Sequence, residues 1–172
     1  AIGRAVHCVM QLVDLTAPRP ALSGLAAAQA AAEGIPDAAG EVELLVRSLL
    51  TSPAVEAAAH APRRWREVFV TAPLGPRGTL LEGYVDLLYE TIDGRLVVVD
   101  FKTDRARTAA DLDEAVRRYR PQAAAYAAAL ERALGRPVDA CVLVFARAGT
   151  AAEDRPVDDL PGAVAEVLGA LA

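Results

Sequence analysis

Asp86, Asp100 and Lys102 are the residues of this chain whose types and spacing most suggest chemistry. Asp100 and Lys102 close the run Leu96-Val-Val-Val-Asp-Phe-Lys102. In a strand, alternate side chains share a face, so Leu96, Val98, Asp100 and Lys102 point one way, about 6–7 Å apart per pair of residues. Val97, Val99 and Phe101 point the other way. Both faces begin apolar, which marks a strand buried on both sides. A carboxylate and an ammonium at its end are costly to bury without a purpose. Asp86 ends the preceding strand-like run and can reach the same place. Two carboxylates and one lysine there form a candidate metal-and-water site. Lys102 is also the only lysine among 18 basic residues, all the others being arginine. A compact, titratable ammonium differs chemically from a planar guanidinium, so its survival in an arginine-biased chain suggests that the position needs an amine. The plain alternative is a chance lysine paired with Asp100.

The elements that must position these groups follow from pattern. Asp93-Gly94 lies between two strand-like runs and reads as a hairpin turn. Upstream, 2–15 reads as a helix with Val6, Val9, Met10 and Val13 on its apolar stripe and His7 beside it. By itself His7 is more often a packed or surface histidine than a ligand. After the linker 16–20, alanine-rich helices are expected over 21–33, 40–50 and 53–60, a helical cover for one side of a sheet. Arg63, Arg64 and Arg66 surround Trp65, and a strand is expected over 67–71. Such a cluster suits a phosphate backbone or a stacked base, and suits a solvated strand entrance equally. Glu67, at the strand start, can face the same site as Asp86.

Beyond Lys102, 103–108 reads as a loop and 111–118 as a helix. Pro121 either kinks that helix or opens a new one at its first turn, and we expect the second. Gly135 stops it. Gln122, Tyr126, Leu130 and Leu134 recur every four residues and are expected on one face, where a buried Gln122 amide needs partners. A buried strand over 138–146, a loop over 149–158 and a final amphipathic helix opened by Pro161 complete the chain.

Length and composition set bounds. The 172 residues are enough for one domain with its own core, and the 53% hydrophobic share comes largely from alanine, so helices should dominate. The net charge of −5 carries no overall basic signature for nucleic acid, so any DNA contact needs a local patch. Cys8 and Cys141 fit no metal spacing, and two thiolates cannot hold an iron–sulfur cluster that needs four. Few cysteines suit a reducing cytosol, and no stretch is long and apolar enough to span a membrane. A start at Ala1 without methionine suggests a fragment of something larger.

In this order the residues resemble a known family. Glu67, Gly83-Tyr-Val-Asp86, Asp100-Phe-Lys102-Thr103 and Gln122-x-x-x-Tyr126 resemble the PD-(D/E)XK nucleases, and more closely the C-terminal nuclease domain of RecB- and AddA-type helicase–nucleases, of the exonuclease V kind. Gly3-Arg-Ala-Val-His7 is similar to the family's upstream Gly-x-x-x-His, which turns His7 into a metal-ligand candidate. Phe101 stands where the family usually has tyrosine. The resemblance runs from His7 to about Phe145.

It implies an α/β, restriction-endonuclease-like core, α-β-β-β-α-β, with a mixed central sheet flanked by helices and an extra N-terminal helical segment. The chain would be a single nuclease domain, with N-terminal helices over 1–62, a catalytic core over 63–146 and a C-terminal loop and helix over 147–172. It further implies Mg²⁺, replaceable by Mn²⁺, held by Asp86, Asp100, His7 and the Phe101 carbonyl, with no iron–sulfur cluster. Lys102 would orient the attacking water, Glu67 would hold a second metal or a water, and Gln122 and Tyr126 would support the site or touch DNA. The implied activity is metal-dependent hydrolysis of DNA, as an exonuclease on single strands, in double-strand-break processing and recombinational repair. The implied partners are DNA, a helicase domain of the same polypeptide and a second helicase–nuclease subunit, in the bacterial cytoplasm and away from membranes. A catalytically inactive nuclease fold that only binds or scans DNA is the alternative, although such domains usually lack the aspartate or lysine retained here. Arg63, Arg64, Arg66, Arg105 and Arg107 are the candidates for backbone contacts. Replacing them with neutral residues should weaken DNA binding and flatten its salt dependence; an unchanged salt slope would show that the patch lies elsewhere.

Overall fold

The computed structural model describes residues 1–18, 20–75, 78–104 and 108–172. Arg105 and Arg107, two of the candidate DNA contacts, lie outside the described residues. The chain divides into two compact units. The first is built from Ala1–His60 with short pieces that begin at Phe101 and at Val144; the second comprises Ala61–Asp100, a piece ending at Leu143, and Arg155–Ala172.

The first unit is helical. Helix α1 (Ile2–Leu12) buries Ala5, Val6, Val9 and Met10, and α2 (Ser23–Ala32) buries only Ala26 and Ala30. Those small side chains let α2 pack against both α1 and α3 (Ala39–Leu49), which contributes Val42, Leu45, Val46 and Leu49. Helix α4 (Pro53–His60) follows, with Ser52 Oγ accepting from the Val55 N–H at 3.2 Å as its start. The first helix stops at Leu12, short of the expected 15, because Asp14 folds back locally. Its carboxylate accepts from the Thr16 N–H at 2.9 Å and the Thr16 hydroxyl at 2.7 Å, an arrangement that competes with helix continuation. Polar contacts among the described residues hold the segment after Val144 to these helices. Ser48 Oγ accepts from Arg147 N–H (2.8 Å), Thr51 Oγ1 from Ala152 N–H (3.0 Å), and Asp154 Oδ2 from Ala54 N–H (2.9 Å).

Five strands lie in the order β1-β2-β3-β4-β5: Arg63–Leu74, Thr79–Glu90, Leu96–Lys102, Ala140–Phe145 and Glu153–Pro156. The first three pair antiparallel. The expected Asp93-Gly94 turn is present, with Gly94 at φ +82° and its N–H donating to the Thr91 carbonyl at 2.9 Å. Helix α5 (Ala109–Leu134) then crosses over to β4. Asp139 N–H donates to the Leu96 carbonyl and Ala146 N–H to the Lys102 carbonyl, both at 2.8 Å. The partners advance together along the two strands, so β4 runs parallel to β3 and the sheet is mixed. Helix α6 (Leu160–Ala170) packs on α5.

Several elements differ from the sequence reading. Strand β1 begins at Arg63, not at Glu67, so the arginine cluster lies within the strand. Asp86 sits inside β2, which continues to Glu90. The expected loop over 149–158 contains β5, a four-residue strand too short and too polar to show a period. Pro121 does not open a helix: α5 runs through it. Its N-terminus is set instead at Thr108, by a reciprocal pair in which Thr108 Oγ1 accepts from Asp111 N–H (3.1 Å) and Asp111 Oδ2 from Thr108 N–H (2.9 Å). Packing of Leu112 and Ala115 before the proline and Ala123, Ala124 and Ala127 after it keeps the two halves continuous. Gln122 is exposed, not buried, and Leu134 is half exposed. Steps of four residues overshoot a 3.6-residue turn by about 40° each, so a four-membered stripe wraps around the helix. A proline inside a helix costs one hydrogen bond and a clash with the preceding turn. Pro121→Ala should therefore raise the unfolding free energy by about 1–3 kcal/mol in urea denaturation, with the slope unchanged.

Candidate functional site

In the second unit the site grows from one irregular rung. Trp65 of β1 and Leu88 of β2 line a cavity of about 390 Å³ with Leu130 and Leu134 of α5, and Val68 lines it too. Trp65 and Val68 are three apart, so regular alternation would put them on opposite faces. Gly83 also faces α5, and it is five residues from Leu88. Both strands therefore switch faces between these positions. The paired register is the same on either side, Arg66 opposite Leu87 and Val68 opposite Val85, which leaves Glu67 opposite Asp86 at the rung that is not paired. Glu67 has φ +50°, a left-handed conformation that costs a residue with a side chain of order 1 kcal/mol or more. The carboxylate oxygens of Glu67 and Asp86 come within 4.8 Å of each other there. Two acids this close repel unless a proton or a cation is shared between them. They offer hard oxygen ligands, the donor type that divalent magnesium and manganese select.

The next residues outward from the Leu87–Val99 rung are Asp86 and Asp100. Both are buried, with 7% and 5% of their surface exposed. Tyr126 of α5 reports on the pair. Burial pushes its phenol above the ordinary tyrosine range, and the charges of Asp100 and Asp86 push the same way. The Gln122 amide donates to its oxygen at 3.3 Å, and the Tyr84 backbone also bonds it; both favour the ionised form without winning. The hydroxyl end of the ring meets Gly83: a Cβ there would fall 2.7 Å from Tyr126 Cε1 and 3.0 Å from its oxygen. The glycine of Gly83-x-x-Asp86 and the tyrosine of Gln122-x-x-x-Tyr126 are thus the two halves of one contact. Asp100 also helps burial push the Cys141 thiol up to about 12, which keeps it protonated and unreactive; its Sγ donates to the Ala123 carbonyl at 3.7 Å.

The first unit shows a parallel arrangement. Gly3 and His7, one helical turn apart on α1, lie against the end of the Asp-Phe-Lys-Thr run. A Cβ on Gly3 would meet Thr103 Oγ1 at 3.0 Å, and the His7 ring stands edge-on to Phe101 with centroids 6.1 Å apart. Lys102, between those two contacts in sequence, is 8% exposed. The structure thus gathers Glu67, Asp86, Asp100, Gln122 and Tyr126 in one unit, and His7, Phe101 and Lys102 in the other. It divides the arginine cluster. Arg63 lines the cavity on the α5 side and pairs with Glu90 at 3.5 Å, whereas Arg64 and Arg66 alternate to the other face.

Residues 1–167 match the sequence profile of the PD-(D/E)XK nuclease superfamily. The chain belongs to that superfamily. Over 86 residues, 46% of the chain, it is 37% identical to one subunit of an ATP-dependent helicase/nuclease from Bacillus pumilus (strain SAFR-032). That match spans 7% of the longer protein. A crystal structure of SSO0001 aligns over 99% of this chain and 75% of its own at 15% identity, with a TM-score of 0.43. The mixed five-stranded sheet with flanking helices agrees with the superfamily's restriction-endonuclease-like fold, as the resemblance implied. Sequence reasoning named the glycines of this nuclease domain only as motif letters. Their role as slots for Thr103 and Tyr126 comes from the fold. Gly83→Ala should displace the Tyr126 ring, and the Tyr126 titration, identified by its absence in Tyr126→Phe, should fall toward the ordinary tyrosine value in a spectrophotometric titration. An unchanged titration would show that the ring does not need the slot.

Proposed function

We propose that this nuclease domain hydrolyses the phosphodiester bonds of DNA with Mg²⁺ or Mn²⁺, as an exonuclease on single strands, in the service of double-strand-break repair. The observation that carries this reading is the approach of the Glu67 and Asp86 carboxylates at a strained rung beside buried Asp100, in a chain of the nuclease superfamily. Asp86 and Asp100 hold the metal, and the Gly3-x-x-x-His7 and Asp-Phe-Lys matches support His7 and the Phe101 carbonyl as further ligands. When bound, the metal supplies a Lewis acid that acidifies a water and draws charge from a phosphate oxygen. Lys102 orients the attacking water and offsets the negative charge that develops on the phosphate. Glu67 binds a second metal or holds a water at the edge of the site. Tyr126, fixed over Gly83 and bonded by Gln122, keeps the strand beneath the acids in place. Arg64 and Arg66 are positioned for phosphates of the strand, with Arg63 in the same cluster. The Bacillus relative is by name part of a helicase/nuclease, which supports a motor elsewhere in the same polypeptide, a second subunit beside it, and work on DNA in the bacterial cytoplasm.

Cleavage of linear single-stranded DNA in Mg²⁺ or Mn²⁺ tests this directly. The chain should cleave, chelation should abolish cleavage, and Lys102→Ala should lower the rate by at least about 10²-fold. Equal cleavage by chain and variant would remove Lys102 from the chemistry. No cleavage together with no metal binding would leave a nuclease fold that binds DNA without cutting it.

A further inference from the structure

The face of the β1–β2 hairpin turned away from α5 carries two large aromatic side chains in the open. Phe69 and Tyr84 are 52% and 56% exposed. They stand directly opposite each other across the two strands, with ring centroids 5.2 Å apart and planes tilted by 52°. Side chains of this size are usually buried, and an exposed pair in contact needs a reason. Its position supplies one. Val85, paired with Val68, points toward α5, so Tyr84 before it points away. The aromatic pair therefore adjoins the Glu67–Asp86 rung, two residues along each strand from an acid. Beyond that rung, Trp65 faces α5, so its neighbours Arg64 and Arg66 turn to the aromatic face. Along β1 this face carries Arg64 and Arg66 on one side of the rung and Phe69 on the other.

We propose that the Phe69–Tyr84 pair is a stacking platform for the unpaired bases of a single strand whose backbone crosses the Glu67–Asp86 rung. This rests on the nuclease reading above and says where the bases of its single-stranded substrate would sit. Every base has a π face, so stacking on aromatic rings is tolerant of sequence but not of base pairing, since paired bases turn only their edges outward. Arg64 and Arg66 continue the path with charges suited to phosphates. Glu82 and Thr71, opposite each other farther along the hairpin, carry a carboxylate and a hydroxyl, which confines the platform to the end nearest the acids. The platform is also anchored, because the Tyr84 backbone bonds the Tyr126 phenol.

The test compares binding of a fluorescein-labelled oligothymidylate and of an abasic strand of equal length, in EDTA, by the chain and by Phe69→Leu/Tyr84→Leu. The leucines keep apolar surface and remove the rings, and a Phe69→Trp variant restores a π face. The chain should prefer the oligothymidylate. The double leucine variant should lose about tenfold or more on it and nothing on the abasic strand, and Phe69→Trp should bind like the chain. Equal affinity of chain and double variant for the oligothymidylate, or equal affinity of the chain for both strands, would overturn the platform while metal-dependent cleavage stands. A chain that neither binds the strands nor cleaves DNA would overturn the nuclease reading itself.

Discussion

Carboxylates do not collect at the centre of a sheet without compensation. Removing an ionised acid from water costs several kcal/mol unless a charge or a set of donors replaces the lost hydration. Asp86 and Asp100 are buried, and Glu67 is turned toward Asp86 by a left-handed backbone. Much of the nearby structure bears on that expense. The strand carrying Asp100 is buried along its whole length. The phenol of Tyr126 is held protonated by its burial and by the acids it faces. Two close, buried carboxylates are destabilising unless a proton, a cation or a set of donors offsets their repulsion.

Close approach is the second constraint. Helices α1 and α5 each make a close contact with the chain beside a strand, and each contact has a glycine at its narrowest point. In the first unit the glycine is on the helix, Gly3 against Thr103. In the second it is on the strand, Gly83 beneath Tyr126. In both, the missing Cβ lets a polar side chain of the other element lie directly on the backbone. This gives the Gly-x-x-x-His and Gly-x-x-Asp spacings a mechanical meaning apart from the acid or imidazole that ends them. In β2, Gly83 is the packing residue and Asp86, three positions on, is presented at the irregular rung.

The change of face at Glu67 has consequences on both sides of the hairpin. It divides the arginine cluster, sending Arg63 with Trp65 to the α5 side and Arg64 and Arg66 to the other. Glu90 takes both Arg63, at 3.5 Å, and Arg136, at 3.0 Å, so the guanidinium on the α5 side is committed to an ion pair. The opposite face carries Arg64, Arg66 and the exposed rings of Phe69 and Tyr84.

Residue type and period were enough to give the order of elements up to β4, the hairpin around Gly94 and the residues worth examining, and the order of the motifs carried the resemblance to the family. Each of these depends on near neighbours in the chain: alternation along β3, a stop at Gly135, a glycine in a turn. The lone lysine and the motif order belong to the same class of evidence. Other features depended on partners far away in sequence. Alternation could not place Arg63 and Arg64, because a single left-handed residue reverses it and nothing in the letters around Glu67 marks that conformation. Pro121 reads as a helix start, yet alanines on both sides of it pack well enough to carry one helix through. Gln122 reads as buried because its spacing matches Tyr126, while the true pitch rotates it into solvent. Which residues are present and how they alternate is local information, and the sequence by itself determined it. Which faces they occupy, and which acids meet, is decided by packing between strands and helices distant in the chain, where the gain from burying a whole face outweighs the preference of any one residue.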